Sequence, residues 1–141
     1  AVVTSPLKAA VSVPTFGDFD ARTLGELAAE AEGAGWDGAQ ALQLPDGGSL
    51  RLHGAAHFPQ PLLVRGRRGG ERITLPGRTH SHALKHVLQD RAVPPWRRDR
   101  LPLLFDADGG LLAAGDVTVS ASMAAWLQAN AARLEHSPGG D

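Results

Sequence analysis

Residues 62–120 read LLVRGRRGGERITLPGRTHSHALKHVLQDRAVPPWRRDRLPLLFDADGGLLAAGDVTVS, and the changes of period along this stretch decide the fold. LLVRG and RITL (Arg72 to Leu75) are short apolar-rich runs on either side of Gly69-Gly70, the composition of two small antiparallel strands. From Ser81 the period becomes helical: Leu84, Val87 and Leu88 fall on one face, Ser81 is the expected N-cap, and Pro94-Pro95 forbids continuation. LPLLF and LLAAG then flank DADGG, an Asp/Gly loop suited to a hairpin, and DVTVS alternates Val117 and Val119 with polar neighbours. Strands on both sides of a helix in so short a span predict an α+β domain, a small mixed or antiparallel sheet with packed helices.

Outside this stretch, SLRLHG after the Asp46 to Gly48 turn reads as another strand. MAAWLQANAARL reads as a final helix with Trp126, Leu127 and Leu134 inward, followed by a disordered tail at residues 136–141. Near the start, VSVPTF (Val11 to Phe16) reads as a strand. Asp20 can cap a helix through about Ala34, with Leu24, Leu27, Ala28 and Ala31 as its stripe and Gly33 and Gly35 ending it. The expected division is a leader over residues 1–38, foreign to the rest, and a domain over residues 39–135.

Charge is segregated. Residues 65–100 hold ten cations and three acids, a balance of +7, while the rest of the chain balances at −8. Such a block is the footprint of a face that binds a polyanion, and nucleic acid is the natural one. Guanidinium groups donate paired hydrogen bonds to phosphate, and Gly66, Gly69 and Gly70 would let backbone amides approach it. The candidate RNA contacts are therefore Arg65, Arg67, Arg68, Arg72, Arg78, Lys85, Arg97 and Arg98; Arg97, Arg98 and Arg100 suit pairing with Asp99 and the acidic remainder equally well.

Other chemistry is weakly supported. The chain has no cysteine, so disulfides, thiolate metal sites and thiol nucleophiles are excluded, and a reducing cytoplasmic compartment is the simple expectation. No run of about 18 apolar residues exists to span a membrane. His80, His82 and His86 have ligand-like spacings but no nearby carboxylate, so they are expected to face solvent or RNA. Asp106, Asp108 and Asp116 suit turns better than a calcium loop. Trp96 could stack on a terminal base, but the expected role is a buried anchor packing the helix end onto the sheet.

The ordered combination of the R-x-G-G-x-R turn, the LKHVLQDRAVPPW helix, RDRLPLL, the short acidic turn and AAGDVTV resembles the C-terminal domain of the tRNA(Ile)-lysidine synthetase (TilS) family. The resemblance implies a PheT/TilS-like α+β module that holds the acceptor region of an isoleucine tRNA. It also implies a parent ligase that uses ATP and magnesium to attach lysine to the wobble cytidine in tRNA processing. That catalytic domain carries a Ser-Gly-Gly phosphate loop, which this sequence lacks. The chain is therefore expected to hold no cofactor, to be inactive alone, and to partner tRNA and the parent's catalytic domain.

Two alternatives stand beside this. A basic face can dock an acidic protein surface. Separately, Val11 to Gly38 is similar to the first strand and helix of luciferase-like flavin monooxygenases, which would make the chain a truncated relic of such an enzyme.

Overall fold

The computed structural model of the chain describes residues 21–30 and 32–139. The strand expected at Val11 to Phe16 and the capping role of Asp20 lie outside them. The described elements are α1 (Ala21–Glu30), β1 (Ala34–Trp36), β2 (Leu42–Gln43), β3 (Ser49–His53), β4 (Leu62–Arg65), β5 (Arg72–Ile73), β6 (His82–Ala83) and α2 (Leu84–Asp90). They continue with α3 (Pro95–Arg98), β7 (Leu103–Phe105), β8 (Leu111–Ala114), β9 (Thr118–Val119), α4 (Ala121–Ala129) and β10 (Arg133–Ser137).

The central sheet has the order β1-β4-β7-β8-β9. A second sheet runs β10-β3-β2, and β5 pairs with β6. Every pairing is antiparallel, so the sheet expected as mixed or antiparallel is antiparallel throughout the described residues. The expected DADGG hairpin joins β7 to β8. Asp106 Oδ1 closes its turn by accepting from the amides of Asp108 (3.1 Å) and Gly110 (2.9 Å), a turn role rather than a calcium one.

The apolar runs LPLLF and LLAA do not alternate because the central sheet is covered on both faces. Leu63, Leu103 and Phe105 pack with Ile73, Leu84, Val87 and Leu88, so α2 and the β5–β6 pair lie on one side. Trp36, Leu62, Val64, Leu104 and Leu112 pack with Leu50, Phe58, Met123 and Trp126, so α4 and the second sheet lie on the other. A strand between two apolar layers has no polar face to show. Ser120 caps α4 by accepting from the Met123 amide at 3.1 Å.

Several sequence expectations need correction. Ser81 does not cap α2. Ala83 occupies that position without a side-chain cap, and the Ser81 hydroxyl instead accepts from Arg72 Nε at 2.9 Å. The final helix stops at Ala129, and Leu134 belongs not to it but to β10, whose residues Arg133 to Ser137 pair with His53 to Ser49. Ala131 adopts φ 51° at the helix-to-strand reversal, a turn the helical period of ANAARL conceals. His136 and Ser137 are therefore ordered strand residues rather than tail. His136 is 6% exposed, and burial holds its imidazole below the usual histidine range despite the opposing influence of Asp116 and Asp46.

The leader expected over residues 1–38 is also revised where it is described. Among the described residues β1 is the edge strand of the central sheet, Trp36 is 5% exposed in the core, and Ala28 of α1 is buried with Leu24 packed beside it. Gly35 has no side chain because a Cβ there would lie 2.8 Å from Leu24 Cδ2, so α1 sits directly on β1. Within the segment that suggested the start of a flavin-enzyme barrel, Ala34–Trp36 thus pairs antiparallel, whereas a barrel strand would pair in parallel.

Candidate nucleic-acid interface

The basic block is carried on three adjacent pieces: the β4–β5 turn, the β5–β6 pair with α2, and α3 with the turn after it. The structure sorts nine of its ten cations into two groups; the tenth, Arg91, donates to Val117 O at 3.1 Å. In the first, the side chain is engaged by other groups of the protein. Arg65 lies over the Phe105 ring at 4.2 Å and donates to Gly66 O (2.9 Å) and to Glu71 Oε2 (3.3 Å). Arg98 Nε donates to Val93 O at 2.7 Å, tying α3 to the end of α2. Arg72 holds Ser81 by both its hydroxyl and its carbonyl, each at 2.9 Å. The Arg67 side chain is only 14% exposed and lies 3.9 Å from Asp99.

In the second group are Arg68, Arg78, Lys85, Arg97 and Arg100, all exposed and without a side-chain partner among the described residues. Arg68 and Arg100 stand at an open groove of about 720 Å³, also lined by Leu42 to Asp46. Arg78 stands with Arg72, His82, His86 and Asp90 around a smaller hollow of about 480 Å³, with Lys85 on the same helix as the two last. The eight expected contacts are thus not equivalent: Arg65, Arg67, Arg72 and Arg98 are framework, while Arg68, Arg78, Lys85 and Arg97 are available, joined by Arg100.

The amides of the glycine turn need a larger correction. Gly69 and Gly70 adopt φ 99° and 80°, the conformation that lets successive amides converge on an anion. The anion is already present: Glu71 Oε2 accepts from the Arg68 amide at 2.7 Å and Oε1 from the Gly69 amide at 3.0 Å. This carboxylate is 5% exposed. Burial pushes its acidity toward the neutral form, but the amides and Arg65 outweigh burial and hold it below the usual glutamate value of 4.5. In the sequence Glu71 counted only as one charge against ten; an acid directly after Gly-Gly in a basic turn was the available signal.

A lowered folded-state value gives stability that is present above pH 4.5 and is lost as the pH falls through the folded value. Glu71→Gln is therefore expected to cost about 1–3 kcal/mol at neutral pH, the scale of charge-assisted hydrogen bonds. The gap to the parent chain should narrow as the pH falls below 4.5. Urea unfolding at pH 7 and pH 3 measures both, and a gap that stays constant or widens in acid counts against the internal anion.

The occupied turn also argues against nucleotide phosphates here. Its Arg68 and Gly69 amides are taken by Glu71. A nucleotide phosphate would therefore have to displace Glu71 to reach the Arg68 and Gly69 amides. Trp96, expected as a buried anchor, is 75% exposed, since Leu101 and Val93 fill the space against the sheet on either side of α3.

The fold and site define a class: a small antiparallel α+β domain with a two-sided core and exposed cations on adjacent surface elements. A family model described as the TilS substrate C-terminal domain matches residues 62–136, and the chain belongs to that family. Among curated proteins, it is similar to the tRNA(Ile)-lysidine synthase of Xanthomonas axonopodis pv. citri (strain 306), 61% identical over 104 residues that cover 72% of this chain and 23% of that one. That of Xylella fastidiosa (strain Temecula1 / ATCC 700964) is 54% identical over 104 residues, covering 70% and 24%. The chain spans about a quarter of the length of these relatives. A solved TilS C-terminal domain has the same fold, with a TM-score of 0.55 and 26% identity, covering 77% of this chain and 99% of that one. No helix among the described residues is long and apolar enough to cross a membrane.

Proposed function

We propose that this chain is a tRNA-holding module, the part of a tRNA(Ile)-lysidine synthase that grips the acceptor region while ATP-dependent attachment of lysine takes place elsewhere in the complete enzyme. The observation that carries the reading is that the residues matched to the family, 62–136, contain the entire basic block. Arg68, Arg78, Lys85, Arg97 and Arg100 neutralise backbone phosphates, and the committed arginines hold the surface that presents them. Such contacts position an A-form stem by shape and charge without reading its bases.

The two groups of cations make different predictions. Lys85→Ala or Arg68→Ala is expected to weaken tRNA binding roughly equally for all sequences and to lower the log–log salt slope by about 0.7–0.9 each, with the melting temperature unchanged. Arg98→Ala should instead destabilise the fold, because Val93 O loses its partner. Titrations with labelled tRNA check the first and thermal melting the second. Unchanged affinity in a folded Lys85→Ala, Arg68→Ala double variant counts against the reading and favours a face that docks protein.

A further inference from the structure

We infer that Trp96 is a stacking platform for one unpaired base of the bound RNA, mounted beside the phosphate-binding arginines; the inference rests on the RNA-holding role above and names what that role leaves out. The three tryptophans divide sharply: Trp36 and Trp126 are 5% and 4% exposed, while Trp96 is 75% exposed. Among the described residues, Leu27 is the other large apolar side chain on the surface, so Trp96 is a single ring and not part of an apolar patch. A protein hot spot would be expected to sit within a wider apolar surround.

The ring is held out on a stiff mount. Pro94 enters α3 with φ −66° and ψ 152°, and Pro95 is its first residue, so the backbone before Trp96 has little freedom. Behind it, Arg98 bonds the Val93 carbonyl from its side chain (2.7 Å) and the Pro94 carbonyl from its amide (3.0 Å). Little conformational entropy is then lost when the indole engages a partner.

The surroundings select that partner by charge. Exposed Arg97 adjoins Trp96, Arg100 follows one turn later, and Asp99 reaches the Arg67 guanidinium at 3.9 Å, which places the β4–β5 turn and its exposed Arg68 alongside. An exposed π surface on a short helix that also carries exposed Arg97, with exposed Arg100 just beyond it, matches a base attached to phosphates. Bases inside an A-form duplex present no open face, so the occupant is an unpaired nucleotide next to a stem.

The test compares a short RNA duplex with blunt ends and the same duplex carrying a single-stranded 3′ tail. The parent chain is expected to bind the tailed RNA about tenfold more tightly, within the range of one base stacked on an aromatic. Trp96→Ala should lose that preference while binding the blunt duplex as before, with the same salt slope and melting temperature. Trp96→Phe should keep most of the preference. Because the other two tryptophans are buried, the tailed RNA should also quench fluorescence in the parent and not in Trp96→Phe. Equal binding of the two duplexes by the parent, or a preference that survives Trp96→Ala, overturns the stacking inference and leaves the phosphate reading standing. Failure of the parent to bind either duplex overturns both.

Discussion

A chain shortened to begin at Ala39 is expected to lose most of its stability. The shortened chain lacks α1 and β1, and with them the hydrogen-bonded neighbour of β4 along Leu62 to Val64. It lacks Trp36, which pairs with Leu62 in register and meets the Phe58 ring at 5.3 Å. It also uncovers Leu63, on the face where Ala28 and Leu24 pack. Removing one buried tryptophan costs about 3–5 kcal/mol, and a small domain has about 5–15 kcal/mol in all. A newly bared β4 edge adds a site for aggregation. Urea unfolding of the two chains is the check. An unchanged midpoint would restore the separable leader that the sequence suggested.

Phe58→Ala is expected to cost about 3–5 kcal/mol, although Phe58 lies in no helix or strand. The ring is 1% exposed and stands between two tryptophans, edge-on to Trp36 and 5.2 Å from Trp126. It therefore joins the edge of the central sheet to α4, with Leu50 of the second sheet in the same cluster. Its amide also bonds Asp37 O at 2.7 Å, which fixes the loop that carries it. A loss of this size lowers the melting temperature by roughly 10 °C or more in a domain of this length. Trp126→Ala on the same background should add less than it costs alone, because the two rings share one gap. A shift below about 1 kcal/mol would show that the surrounding layers close around the missing ring and do not depend on it.

What the sequence disclosed follows from the range of the interactions involved. The β7–β8 hairpin was legible because DADGG carries its own turn chemistry, and α2 because Leu84, Val87 and Leu88 repeat over consecutive turns. β10 was not legible: Arg133 to Ser137 continues the helical spacing of the preceding segment, and the partner that makes it a strand, β3, lies some 80 residues away. The place of residues 34–36 was hidden for the same reason, since β1 finds its partner only at Leu62 to Val64.

For the proposed interface, the charge count singled out a segment but could not tell which of its cations were free. Arg65 and Arg98 look like Arg68 and Arg97 in sequence. What separates them is Phe105 and the Val93 carbonyl, both brought near by folding. The glycine turn was recognised as an anion cradle, yet its occupant, Glu71, is part of the same turn. Trp96 was expected to be buried because most tryptophans are, and only the packing of Val93 and Leu101 shows that its place in the core is taken.

The central claim is that exposed cations hold tRNA by its phosphates, and salt dependence tests it most directly. With Arg68, Arg78, Lys85, Arg97 and Arg100 available, about four or five phosphates are neutralised, and the slope of log affinity against log salt should lie near −3 to −4. Between 50 and 200 mM salt, tRNA affinity should then fall on the order of 100-fold. A flat response over that range, with the protein folded throughout, would contradict the account.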